Sequence, residues 1–217
     1  MNFHVFRLAF SRNYLYLCLM PDHLKDHIPV AALPRVRALL QHDHLTVKIK
    51  KERKTRHGDY RKLPNDKHQI TINNNLNIYK FLITLIHEIA HFETYQVDGR
   101  FVKPHGKEWK LTFQHLMLPF INPEVFPEDL LPLVAQHFKN PRATSDTDTQ
   151  LALALKQYDA PNNNSFIFEL PFGSIFKMYN GRTFKKGNKR VKRYECREIA
   201  SGKIYLFNPN AEVELIN

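Results

Sequence analysis

The segment Leu82 to Tyr95, LITLIHEIAHFETY, sets His87 and His91 four residues apart, with Glu88 beside the first. Residues at that spacing are neighbours on a helix, with Cβ atoms roughly 5–6 Å apart, so both imidazoles can reach one metal ion. Glu88 then stands beside the ion without ligating it, where a carboxylate can take a proton from water acidified by the metal. A catalytic zinc takes three protein ligands and keeps a fourth position open. Glu93, His105, Glu108 and His115 are the downstream candidates for the third. His105 is favoured, because Pro104 and Gly106 bracket it in a turn at the start of a helix, where a side chain can point back across the chain. His115, deep in an amphipathic helix, reads as structural. Cys18 and Cys196 lie far apart and neither belongs to a CxxC pair, so no cysteine set exists for another ion. The expected cofactor is one zinc ion per chain.

These residues need a helix with a greasy back. Ile78, Leu82, Leu85, Ile89 and Phe92, flanked by Phe81 and Ile86, form one apolar stripe, while Thr84, His87, Glu88, His91 and Tyr95 fall on the other side. The pattern predicts a helix from Ile78 to about Tyr95, capped by Asn75 or Asn77. Before it come a helix over Pro29 to His42 and an alternating strand over Leu45 to Lys51. HGDYR, around Gly58, reads as a turn, and QITIN (Gln69 to Asn73) as a second strand. After it, a helix begins near Gly106, marked by Trp109, Phe113, Leu116 and Met117, and Pro119 closes it. Shorter helices are expected over Phe126 to Phe138 and over Thr147 to Tyr158, the latter capped by Ser145, Asp146 or Asp148. From Phe166 onward, alternating aromatics, Gly turns and basic residues predict two or three antiparallel strands. The expected class is α+β. Its divisions are an N-terminal extension over 1–20, a main domain over 21–160 and a basic β-rich lobe over 161–217.

With 217 residues, 43% of them hydrophobic, the chain can fill a substantial core. The first twenty residues hold an apolar run interrupted by Arg12 and Asn13, too short to span a bilayer and without a small-residue cleavage pattern. A cytoplasmic protein with no membrane association is expected, and Met20 is an alternative start. The net charge of +11 is concentrated in two places. Lys48 to Lys62 holds eight Lys/Arg against two acids, and Lys177 to Arg197 holds nine against one. Such clusters suit a polyanion such as nucleic acid, the bland alternative being solvated basic hairpins. In the second cluster Lys177, Arg182, Lys185, Lys186, Lys189, Arg190, Lys192 and Arg193 are the expected phosphate contacts, with Phe184 and Tyr194 as stacking surfaces that would favour single strands.

HEIAH followed by PHGKEWK resembles the SprT-like zinc metalloprotease family, which includes the DNA-dependent protease spartan of eukaryotes. In that family a third histidine lies in an HGxxF or HGxxW element, here His105 with Gly106 and Trp109. QITIN and NNNLNIYKFLITLIHEIAH extend the likeness over roughly Val30 to Phe120. The resemblance implies a minimal zincin-like core and cleavage of DNA-associated proteins. It also implies a substrate that adds as a strand beside Gln69 to Asn73, and Tyr95 is the candidate oxyanion donor. Bacterial relatives often end in a zinc ribbon of paired cysteines, whereas RYECREIASGKIYLF keeps only Cys196. Packing must then hold the β lobe, with Phe168, Phe172, Phe176, Tyr194, Ile204, Tyr205 and Phe207 as its expected core. Two other readings remain open, a nucleic-acid-binding module with a structural zinc and a zinc hydrolase of another amide. Glu88 speaks against the first, since a structural site needs no carboxylate beside an open position.

Overall fold

The computed structural model describes residues 24–142, 146 and 148–216. The expected extension over 1–20, with Cys18 and Met20, lies outside the described residues, as do Ser145 and Thr147 of the expected helix start. The protein is α+β. Helix α1 (Leu33–Leu39) leads into strands β1 (Leu45–Lys50), β2 (Gly58–Lys62) and β3 (His68–Asn73) and then the long helix α2 (Ile78–Asp98). Helices α3 (Lys107–Met117), α4 (Leu131–Phe138) and α5 (Thr149–Lys156) follow. The chain ends in strands β4 (Asn164–Phe166), β5 (Ile175–Lys177), β6 (Thr183–Arg190), β7 (Arg193–Glu198), β8 (Ile204–Phe207) and β9 (Glu212–Leu215). No helix among the described residues is long and apolar enough to cross a membrane.

Two expectations about the first sheet are corrected. The order is β1-β3-β2, with β1 parallel and β2 antiparallel to β3, so among the described residues Gln69 to Asn73 lies in the centre, β1 and β2 are the edges, and β2 is the edge that lies over Glu88. HGDYR is therefore an edge strand rather than a turn. The real turn is the stretch after it, where Asn65 and Asp66 take positive φ (59° and 55°), a conformation their short polar side chains tolerate. β3 is central because Ile70 and Ile72 enter the core on one face, while Thr71 and Asn73 are buried on the other. Arg53 seals that second face. Its guanidinium donates to Asn73 Oδ1 and Thr71 Oγ1, both at 2.8 Å, while Asn73 Nδ2 donates to the carbonyls of Arg53 and Arg56.

Helix α2 starts at Asn77, whose side chain accepts from the amides of Tyr79 and Lys80 (3.1 and 2.9 Å) and donates to Leu155 O and Asp159. It runs one turn past Tyr95 and stops at Gly99, at φ 73°. Phe81, Leu82, Leu85, Ile86 and Ile89 join Ile70 and Ile72 in one core with Trp109, Phe113 and Met117 of α3. Those three recur every fourth residue on α3, which leaves His115 on its exposed face and not in a structural interior position. Phe126 to Leu130 is non-helical, so the helix expected from Phe126 begins only at Leu131. The helix expected from Thr147 is α5, capped by Asp148.

The second sheet has six strands in the order β4-β9-β5-β6-β7-β8, with antiparallel neighbours throughout, where sequence patterning predicts two or three. Ile167, Leu170, Phe176, Phe184, Cys196 and Val213 fill its core, with Tyr194, Tyr205 and Phe207 packed against them. Phe172 (72% exposed) and Ile204 (56%) are outside it. Ile204 pairs with Arg197 on the outward face of the pleat, and Phe172 leads into the turn at Gly173.

Candidate metal centre and cleft

His87 and His91 project from α2, and His105 faces them from the turn before α3. Their Nε2 atoms lie 3.2, 3.0 and 3.2 Å apart. Nitrogens that share one zinc at 2.0–2.1 Å in tetrahedral geometry stand about 3.3 Å apart, so the spacing fits a common ion. Burial pushes all three pKa values down, that of His91 to about 4 and that of His87 well below the usual imidazole range. The rings are neutral at pH 7 and each can offer a lone pair. These three residues could hold a metal ion. The indole of Trp109 wedges against them with ring centroids 4.6 Å from His87, 5.2 Å from His91 and 4.7 Å from His105, and fixes their orientation.

His105 reaches the cluster through a tight turn. Gly106 N donates to Lys103 O at 2.8 Å, Pro104 holds the second position and His105 takes φ 58° at the third, the pattern of a type II turn. That third position favours glycine, and a β-carbon there costs of order 1 kcal/mol. Gly106 must remain small, because an added Cβ would lie 2.8 Å from Lys103 O.

Glu88 is 6% exposed beside this cluster. Burial, helped by the charge of Asp59, pushes its pKa up to about 8, although the Tyr60 amide donates to its carboxylate. β2 runs directly over it. A Cβ on Gly58 would stand 2.5 Å from Glu88 Oε1 and 2.8 Å from Thr84 Cγ2, so only glycine lets the strand lie this close. His57 O and the Leu63 amide bond on the β3 side of the strand. Backbone alternation then turns Gly58, Tyr60 and Lys62 toward the open edge. The result is a cleft of about 690 Å³ that includes β2, α2 and the His105 turn. Tyr95 lines it, and its hydroxyl accepts from Lys62 Nζ at 2.8 Å. Tyr60, which the sequence reading passes over, bonds His68 Nδ1 through its hydroxyl at 2.8 Å, and its ring lies parallel to that of His91 at 6.4 Å. The only sequence signal for it is the aromatic set between charges in GDYRK.

The basic residues of the C-terminal sheet divide. Lys185, Lys189, Lys192, Arg193 and Arg197 are exposed, with Lys185 opposite Arg197 across β6 and β7. Lys177, Arg182 and Arg190 pair with Glu214, Glu198 and Glu195 at 3.8, 2.5 and 2.6 Å. Two expectations fail here. Lys186 is buried, donates to Leu170 O and sits 4.2 Å from the Tyr194 ring centroid. Phe184 is 1% exposed and belongs to the core, so it offers no stacking surface.

His105→Gly removes a ligand yet suits the backbone. Zinc in the purified protein should fall from about one per chain to near zero, while the melting temperature of the metal-free protein should not fall. His115→Ala should keep its zinc. Metal analysis and thermal melts check both, and equal zinc in the two variants would refute the ligand assignment.

Residues 34–125 match the model of the SprT-like family, whereas no curated protein and no solved structure matches the chain. The match spans all three histidines, Glu88 and β2, close to the range over which HEIAH and PHGKEWK carry the resemblance. The match covers under half of the chain and marks residues 34–125 as similar to a SprT-like domain.

Proposed function

We propose that the protein is a zinc-dependent peptidase with a zincin-like core that acts on DNA-associated proteins. The observation that carries this reading is the meeting of three neutral imidazole nitrogens beside a buried carboxylate, under the open edge of a strand. Held by His87, His91 and His105, a zinc ion would supply Lewis-acid chemistry, polarising a peptide carbonyl and acidifying water. The chain does the rest. Glu88 accepts the proton and returns it to the departing amine, a role that its place beside the three imidazole nitrogens allows. The backbone of β2 aligns the substrate as an added strand, a role that falls to Gly58–Lys62 and not to Gln69 to Asn73. Tyr95, with its hydroxyl oxygen already accepting from Lys62, keeps its own proton to donate to the oxyanion.

The DNA part of the proposal rests on Lys185, Lys189, Lys192, Arg193 and Arg197, which are exposed on the β6–β7 side of the sheet. These side chains can contact phosphates but read no bases, so binding is independent of sequence. With Phe184 in the core and Tyr194 under Lys186 and Lys189, stacking contributes nothing to a single-strand preference.

Glu88→Gln should bind zinc and fold as the wild type but lose at least about a hundredfold in the rate of casein cleavage. Wild-type cleavage by that variant would remove Glu88 from the mechanism, and zinc without any cleavage in the parent protein would favour a structural ion.

Duplex DNA should bind with an affinity that drops steeply between low and physiological salt. Changing Lys185, Lys189, Arg193 and Arg197 to Ser should weaken binding about tenfold or more and flatten the salt dependence by about one unit of slope per lost contact. Titrations at two salt concentrations measure both, and unchanged binding in the variant excludes this sheet as the DNA surface.

A further inference from the structure

Among the described residues strand β2 has a strand partner on one side only, so its hold on α2 rests on the Tyr60–Glu88 bond and on contacts at its ends. At its far end Lys62 bridges to Tyr95 of α2. At its leading end the bridge is longer. His57, which precedes the strand, has Nε2 2.8 Å from Asp146 Oδ2, and Lys80 Nζ of α2 is 3.0 Å from Asp146 Oδ1. Lys80 lies about two turns before His87 and is 8% exposed. Burial pushes the Asp146 carboxyl up, but the bond from His57 and the charge of Lys80 outweigh it and hold the group well below the usual carboxylate range.

Asp146 is also held from behind. Asn210, buried between β8 and β9, donates from Nδ2 to the Asp146 carbonyl at 2.6 Å and accepts from the Thr149 hydroxyl at 3.1 Å. One residue thus touches the lead-in to β2, the metal-binding helix and the C-terminal sheet. His57 is followed at once by Gly58, the point at which the strand presses on Glu88. A shift of the lead-in is therefore a shift of the wall beside the carboxylate.

We propose that Asp146 is a positioning residue that pins the leading end of β2 to α2 through His57 and Lys80. Through Asn210 it makes the C-terminal sheet part of that support. The sheet is then a structural buttress of the cleft as well as a charged surface. Only the effect on substrate rests on the peptidase reading.

The test leaves Asp146 in place, because without it the Lys80 ammonium would be buried unpaired and the fold itself at risk. Hydrogen–deuterium exchange of the zinc-loaded full chain is followed in the wild type, His57→Ala, His57→Gln and Asn210→Ala. Exchange of the β2 amides should quicken about tenfold in His57→Ala and in Asn210→Ala, with β1 and zinc content unchanged. His57→Gln, whose amide can still donate to Asp146, should exchange as the wild type. With casein as substrate, KM should rise about tenfold in His57→Ala while kcat stays within about threefold. Wild-type exchange of β2 in either alanine variant overturns the proposal, as does quickening in His57→Gln equal to that in His57→Ala. A wild type that leaves casein intact counts against the peptidase reading alone, and the exchange arm still decides the role of Asp146.

Discussion

Three imidazole lone pairs meeting within 3.2 Å are the constraint on which the rest of the structure depends. With all three Nε2 lone pairs turned to one point the neutral rings repel, and protonated rings repel more, so that arrangement is sustained only around a cation or within a scaffold that overrides the repulsion. The scaffold is visible. α2 supplies two rings from one face, the Lys103–Gly106 turn accepts a left-handed histidine to bring the third, and Trp109 packs against them all. Strain in the turn and repulsion in the cluster are both costs to the metal-free fold, and binding a cation offsets them.

The same economy governs the carboxylate. Glu88 loses most of its hydration to β2, and the close approach of Gly58 is what makes that burial possible. The compensating bond comes from the Tyr60 amide, on the strand edge where a substrate backbone would lie. One packing contact therefore sets the basicity of Glu88 and the position of the strand. The polar bridges at Lys62 and at His57 secure that contact from both ends, and the second reaches through Asp146 to Asn210, in the turn between β8 and β9.

Much of the site is legible in the sequence. The stripe from Leu82 to Phe92 fixes which face of α2 is buried, and with it that His87 and His91 point together. Pro104 and Gly106 signal the turn that delivers His105. What escapes is non-local. GDYRK has neither the alternation nor the β-branched residues of a strand, and it becomes one because β3 and α2 surround it. His115 looks internal by its apolar neighbours, yet the four-residue recurrence of Trp109, Phe113 and Met117 puts it outside. In the C-terminal sheet, β4, β5, β8 and β9 are only three or four residues long, too short for periodicity to register. Lys186 reads as a surface charge because composition cannot reveal that Leu170 O and the Tyr194 ring await it inside.

The proposed chemistry requires that His87, His91 and His105 ligate one zinc ion and leave a position open. X-ray absorption at the zinc edge of the purified protein tests it most directly. The expected shell holds three imidazole nitrogens and one oxygen donor at about 2.0–2.1 Å, with no sulfur. A sulfur shell near about 2.3 Å, or a six-coordinate shell with fewer than three imidazoles, would contradict it.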